Sequence, residues 1–153
     1  MASPRQIMVG GVPIGGGAPV AVQTMTKTET ANLQATMDQI HRVAEAGADI
    51  VRVAVPRDDD VEALKTIVVQ SPIPVIADIH FNHTLALKAI DAGAHCIRLN
   101  PGNIGGPEKV AKVVERAKIR PSFLAPVMPK SACEASPMPF TAQPSTATSI
   151  GSS

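Results

Sequence analysis

The chain has 153 residues, 44% of them hydrophobic but only 2% aromatic, with no Trp or Tyr, which allows one domain of ordinary size around an aliphatic core. A formal net charge of +1 gives no ground for a nucleic-acid or membrane-surface partner, and no apolar run approaches the ~20 residues of a membrane span. The two cysteines, Cys96 and Cys133, fall in a predicted buried strand and in a polar tail, which argues against a disulfide and for a reducing, cytosolic setting.

The chain opens on MASPRQIM, which has neither the apolar core of a secretory signal nor the Arg/Ser richness of a transit peptide. Residues 5–19 carry a Gly-rich piece, Gly10 to Gly17, between the β-type runs QIMV and PVAVQTM; the pattern reads as a hairpin. These glycines lack the Lys-Ser/Thr of a P-loop and the spacing of a dinucleotide fingerprint, so a turn is preferred to a phosphate cradle. A strand over residues 20–26 follows. A helix with Met37, Ile40, Val43 and Ala44 on one face then ends at Gly47. The next strand, residues 49–55, is stopped by Pro56. Asp58, Asp59 and Asp60 suit the N-terminal dipole of the following helix and read as a solvated start rather than a metal site. That helix buries Val61, Leu64, Ile67 and Val68. Residues 73–80 form a third strand, and a helix from Asn82 or Thr84 turns Leu85, Ala89 and Ile90 inward as far as Gly93.

The stretch HCIRLNPGNIGGP, residues 95–107, reads as a buried strand running through a Gly- and Asn-rich loop to a helix that opens at Pro107. Strand, loop and helix N-terminus in that order make a natural anion site. The helix runs over residues 107–118, with Val110, Val113, Val114 and Ala117 inward. From about Ile119 the pattern collapses into Pro-, Ser-, Thr- and Ala-rich sequence, and residues 121–153 are expected to be mostly disordered.

The result is strand–helix four times over, which implies parallel strands with right-handed crossovers. The motif A-G-A-x-x-[VI]-R occurs at residues 46–52 and again at 92–98, two strand–helix units apart. In a (β/α)8 barrel alternate strands feed one interior layer, so Arg52 and Arg98 are expected to point into the mouth at one level. Two inward arginines keep their charge and need anionic partners. Phosphate oxygens suit the fork of guanidinium donors, and Asn100 adds a further donor. The bland alternative is pairing with internal carboxylates, Asp78 among them. Asp78 either orients or deprotonates a substrate or simply neutralises an arginine; His80 stands just past it on the same face. Cys96 reads as packing and His95 as structural or exposed.

Four stretches, RQIMVGGVPIGGGAPVAVQTMT, AGADIVRVAVP, PVIADIHFN and CIRLNPGNIG, together resemble the N-terminal part of the hydroxymethylbutenyl diphosphate synthases over about residues 5–118, with Thr24 where that family usually has Ser. The resemblance implies an α/β fold: the first four βα units of a TIM-like (β/α)8 barrel preceded by a short Gly-rich β-hairpin, over residues 1–118, with a divergent tail over 119–153. It implies an oxidoreductase of bacterial isoprenoid biosynthesis, cytoplasmic and homodimeric. Such an enzyme opens methylerythritol cyclodiphosphate reductively, through a [4Fe-4S] cluster fed by ferredoxin or flavodoxin. Arg52, Arg98, Asn100, Asn103 and His80 would bind the cyclic diphosphate, and Asp78 would contact it as the catalytic carboxylate. The family's cluster cysteines lie in a later domain with no counterpart in this sequence, and Cys133 sits in no matching motif. The chain is therefore expected to be an N-terminal fragment, inactive alone and prone to self-association. The alternative is a non-catalytic phosphate-binding module that dimerises to complete a barrel.

Overall fold

The computed structural model describes residues 4–120. Expectations for the tail from residue 121 onward, Cys133 included, lie outside the described residues.

The first two strands, β1 (Gln6–Val9) and β2 (Val12–Gly15), form an antiparallel hairpin whose turn is Gly10-Gly11. Gly10 has φ +57°, and a Cβ there would meet Pro74 Cγ at 2.8 Å, so only glycine fits. This corrects the hairpin reading in one respect. The return strand is VPIG rather than PVAVQTM, because the two-residue turn leaves no slack for the later glycines.

A four-stranded parallel sheet then forms in sequence order: β3 (Gln23–Met25), β4 (Ile50–Ala54), β5 (Val75–Ile79) and β6 (Cys96–Leu99). Three long helices connect the strands or follow them on one side: α1 (Leu33–Glu45), α2 (Asp58–Gln70) and α3 (His83–Asp91). The strand expected over residues 20–26 is shortened to three residues. Beyond β6 a one-turn helix, α4 (Pro101–Ile104), precedes α5 (Pro107–Ile119), which runs one residue past the expected end.

The helix boundaries have local causes. Asn32 Oδ1 accepts from Ala35 N–H at 3.2 Å and Asn82 Oδ1 from Thr84 N–H at 2.9 Å, capping α1 and α3. Both helices end through glycines at φ +96°, Gly47 and Gly93. The following residues repeat one bonding scheme: Ala48 N–H returns to Val43 O and Ala94 N–H to Ala89 O. The A-G-A-x-x-[VI]-R echo is therefore a helix exit joined to a strand at fixed phase, and that phase sets which face each arginine takes.

Strand alternation divides the sheet cleanly. Val51, Val53, Val55, Val75, Ala77 and Ile79 face the helices, where they pack with Ile40, Leu64, Ile67, Ala89 and Ile90 into the main core. Ile50 and Ile76 face the other way, and with Val9 they form a smaller cluster, against which Val12, Ile14 and Cys96 pack. The hairpin thus closes the N-terminal end of that face and leaves its C-terminal end open. Among the described residues β3 and β6 are the sheet edges.

One buried carboxylate departs from expectation. Asp58 and Asp59 are exposed as a solvated helix start should be, but Asp60 is only 1% exposed. Its Oδ1 accepts from Ala31 N–H at 2.9 Å and its Oδ2 from Arg57 N–H at 3.1 Å. Asp60 therefore ties the β3–α1 loop to the start of α2.

Candidate functional site

The open end of the inner face carries Arg52, Asp78 and Arg98 on three successive strands. The register sets Arg52 opposite Ile76, and Asp78 opposite Arg98. The two arginines are therefore offset by two residues across two strands, a stagger of the kind tilted barrel strands carry. They converge on the carboxylate between them.

Asp78 is 2% exposed. Its Oδ1 accepts from Arg98 Nη1 at 2.8 Å, a short charge-assisted bond. Its Oδ2 lies 3.3 Å from Arg52 Nε and 3.4 Å from His80 Nε2. The Arg52 contact is an ion pair by distance only. Nε is buried and misaligned, and makes no hydrogen bond. The guanidinium is held instead through Nη2, which donates to Met25 Sδ at 3.3 Å. Both readings of the arginines thus apply. They do pair with an internal carboxylate, yet two guanidinium charges face one carboxylate, so the cluster keeps surplus positive charge. Arg98 is half exposed and Arg52 a quarter exposed, so this charge is open to a ligand.

The loop after β6 differs from the sequence reading. Asn100 caps α4, its Oδ1 accepting from Gly102 N–H at 3.2 Å. Its carbonyl oxygen is therefore committed, and its Nδ2 is the end free to donate to a ligand. Asn103 is exposed within α4, its N–H donating to Asn100 O at 3.0 Å. Ile104, buried at 2%, anchors that turn. Strand β6 consequently does not run straight to the N-terminus of α5, and the strand–loop–helix anion site is replaced by a capped turn. His80 is exposed at the rim, beside the Phe81 ring.

Cys96 lines the same face one row below Arg98, and burial pushes its thiol above the ordinary value, as suits packing rather than nucleophilic chemistry. Among the described residues no three of His, Cys, Asp and Glu come together as a metal-holding group. They offer no ligand set for an iron–sulfur cluster.

His95 is structural. Its Nδ1 accepts from Val75 N–H at 3.1 Å where β5 begins. Burial pushes the imidazole below its ordinary value. The Val75 N–H needs the Nδ1 lone pair, so it too favours the neutral ring, opposite in sign to a bond donated by the imidazole. A histidine lowered in the folded state contributes stability above its unfolded pKa of about 6.5 and loses it as pH falls through that value. The urea midpoint is therefore expected to fall between pH 7 and pH 5.5, and His95→Gln to flatten that dependence. An equally steep dependence in the variant would assign it elsewhere.

Sequence reasoning missed Met25 and Asp60. The role of each needs a partner more than 25 residues away in sequence, although an acidic residue at the third position of a helix, where Asp60 accepts from Arg57 N–H, is a local signal that could have marked it.

Comparison with known proteins gives a consistent picture. The family described as the GcpE TIM-barrel domain matches residues 4–123. The chain is 54% identical over 116 residues to a Magnetococcus marinus protein named 4-hydroxy-3-methylbut-2-en-1-yl diphosphate synthase (flavodoxin), covering 76% of this chain and 31% of that one. An Aquifex aeolicus protein of the same name is 58% identical over 116 residues, covering 76% and 32%. The chain thus spans about a third of the length of the curated relatives it matches. Among solved structures, a Yersinia pestis dihydropteroate synthase superposes with TM-score 0.58 at 16% identity, over 73% of this chain and 43% of that one, a likeness of fold alone.

Proposed function

The chain belongs to the GcpE TIM-barrel family, and from that premise we propose that it forms the diphosphate-binding side of a barrel mouth. The parent reaction is the reductive opening of methylerythritol cyclodiphosphate to hydroxymethylbutenyl diphosphate in isoprenoid biosynthesis. Strands β3 to β6 with α1, α2, α3 and α5 are the first four βα units of a (β/α)8 barrel, and the β1–β2 hairpin is its floor. The observation that carries the reading is the convergence of Arg52 and Arg98 on the single buried carboxylate of Asp78. A diphosphate supplies the negative charge that this cluster lacks.

In this reading Arg98 and Arg52 take the phosphate oxygens, and Asp78 fixes Arg98 and contacts the substrate. His80 and the Nδ2 of Asn100 reach in from the rim, and Asn103 supports the turn. Among the described residues no group of His, Cys, Asp and Glu is placed to ligate an iron–sulfur cluster. In the parent enzyme flavodoxin or ferredoxin supplies the electrons, in the bacterial cytoplasm, to a homodimer.

Calorimetric titration of the 153-residue chain with methylerythritol cyclodiphosphate tests the reading. Binding that weakens with added salt and is competed by inorganic pyrophosphate is expected. Absence of binding at low salt would overturn it.

A further inference from the structure

We propose that Met25 is a positioning residue that parks Arg52, so that the diphosphate clamp has one fixed jaw and one movable jaw. Met25 and Arg52 are direct partners in the β3–β4 register, so their side chains leave the sheet on the same face. Arg52 Nη2 donates to Met25 Sδ at 3.3 Å. A stronger acceptor at the same distance, Asp78 Oδ2, lies 3.3 Å from Arg52 Nε yet receives no hydrogen bond from it. Arg98 is held differently, by a 2.8 Å bond to Asp78 Oδ1.

The chemistry of the two acceptors makes the arginines unequal. A carboxylate is a strong, charged acceptor, whereas a thioether sulfur is a weak one. Arg98 is fixed by the bond that also satisfies the buried Asp78. Arg52 has its position set by a partner it gives up at little cost, and its Nε has no bond to lose. A phosphate oxygen entering the mouth therefore recruits Arg52 by exchange with sulfur rather than by breaking an aligned ion pair. Sulfur keeps the guanidinium on the inner face in the meantime. A stronger neutral acceptor at residue 25 would hold Arg52 back, and none would leave it unplaced.

The experiment uses the full chain, three variants and inorganic pyrophosphate; its affinity arm rests on the diphosphate reading, and its spectroscopic arm does not. Met25→Gln offers an amide oxygen to Nη2 and is expected to weaken pyrophosphate binding about fivefold. Met25→Leu keeps the bulk and removes the acceptor. Its Arg52 Nε–Hε NMR signal, assigned by its loss in Arg52→Lys, is expected to shift or lose order while the Arg98 signal holds. If the Arg52 signal in Met25→Leu matches the wild type, the positioning role is overturned whatever the ligand result. Equal pyrophosphate affinity in the wild type and Met25→Gln overturns it as well. If the wild type binds no pyrophosphate, the diphosphate reading falls, and the Arg52 signal alone decides the role of Met25.

Discussion

Replacing Arg52 and Arg98 together with alanine is expected to reduce cyclodiphosphate affinity by about 10²–10⁴-fold in calorimetric titration. A hydrogen bond to a charged group contributes about 1.5–3 kcal/mol, so two such partners contribute about 3–6 kcal/mol. The single variants should differ in stability. Removing Arg98 deprives the buried Asp78 of its aligned 2.8 Å bond and leaves only the misaligned Arg52 and the more distant His80. Removing Arg52 leaves that bond in place. Arg98→Ala should therefore lower the melting temperature more than Arg52→Ala, while both weaken binding. Lysine at either position restores charge without the guanidinium fork and should recover only part of the affinity. Unchanged affinity in a folded double variant would sink the site assignment.

Asp60→Ala should destabilise the fold by about 2–4 kcal/mol, read as a drop in the urea midpoint. It removes the acceptor for two backbone N–H groups, those of Ala31 and Arg57, and with it the tie between the β3–α1 loop and the start of α2. The side chain is 1% exposed, so its truncation also leaves a gap beneath the loop. Asp59→Ala, one residue earlier and exposed, is expected to stay within about 0.5 kcal/mol. Asp60→Asn keeps one acceptor oxygen and should fall between the two. Equal effects at residues 59 and 60 would return all three aspartates to the solvated helix start that their sequence suggests.

The contrast between Asp59 and Asp60 shows where sequence reading stops. Periodicity located α1, α2, α3 and α5 because each carries an apolar stripe long enough to repeat. It placed β4, β5 and β6 because they are short apolar runs between glycine and proline stops. The parity that puts Arg52, Asp78 and Arg98 on one face was likewise legible, since alternation along a strand is a local property. Helix α4 was not, because four residues complete only one turn and show no period. Nor was the inequality of the arginines. Arg98 and Arg52 occupy equivalent places in the A-G-A-x-x-[VI]-R echo, and the strand beside each one, β5 or β3, decides which acceptor it meets. The shortening of β3 is one of ladder length: the register with β4 spans Gln23–Met25, while Val22 O still accepts from Asp49 and Ile50 N–H and Thr26 N–H still donates to Arg52 O at its two ends.

The order of the sheet bears on how such a chain acquires its shape during synthesis. Each strand is hydrogen-bonded to the one made just before it, and the ladders join Gln23 with Ile50, Val51 with Val75 and Ile76 with Cys96. Partners are about two dozen residues apart at each step, so the loop-closure entropy is nearly the same for every addition. A parallel sheet usually folds slowly because its pairings are distant; this one extends by equal, local increments. Each ladder becomes available once a single further helix and strand have emerged from the ribosome. The growing edge is always the newest strand, and the charged mouth assembles last, when Arg98 arrives beside an Asp78 already in place.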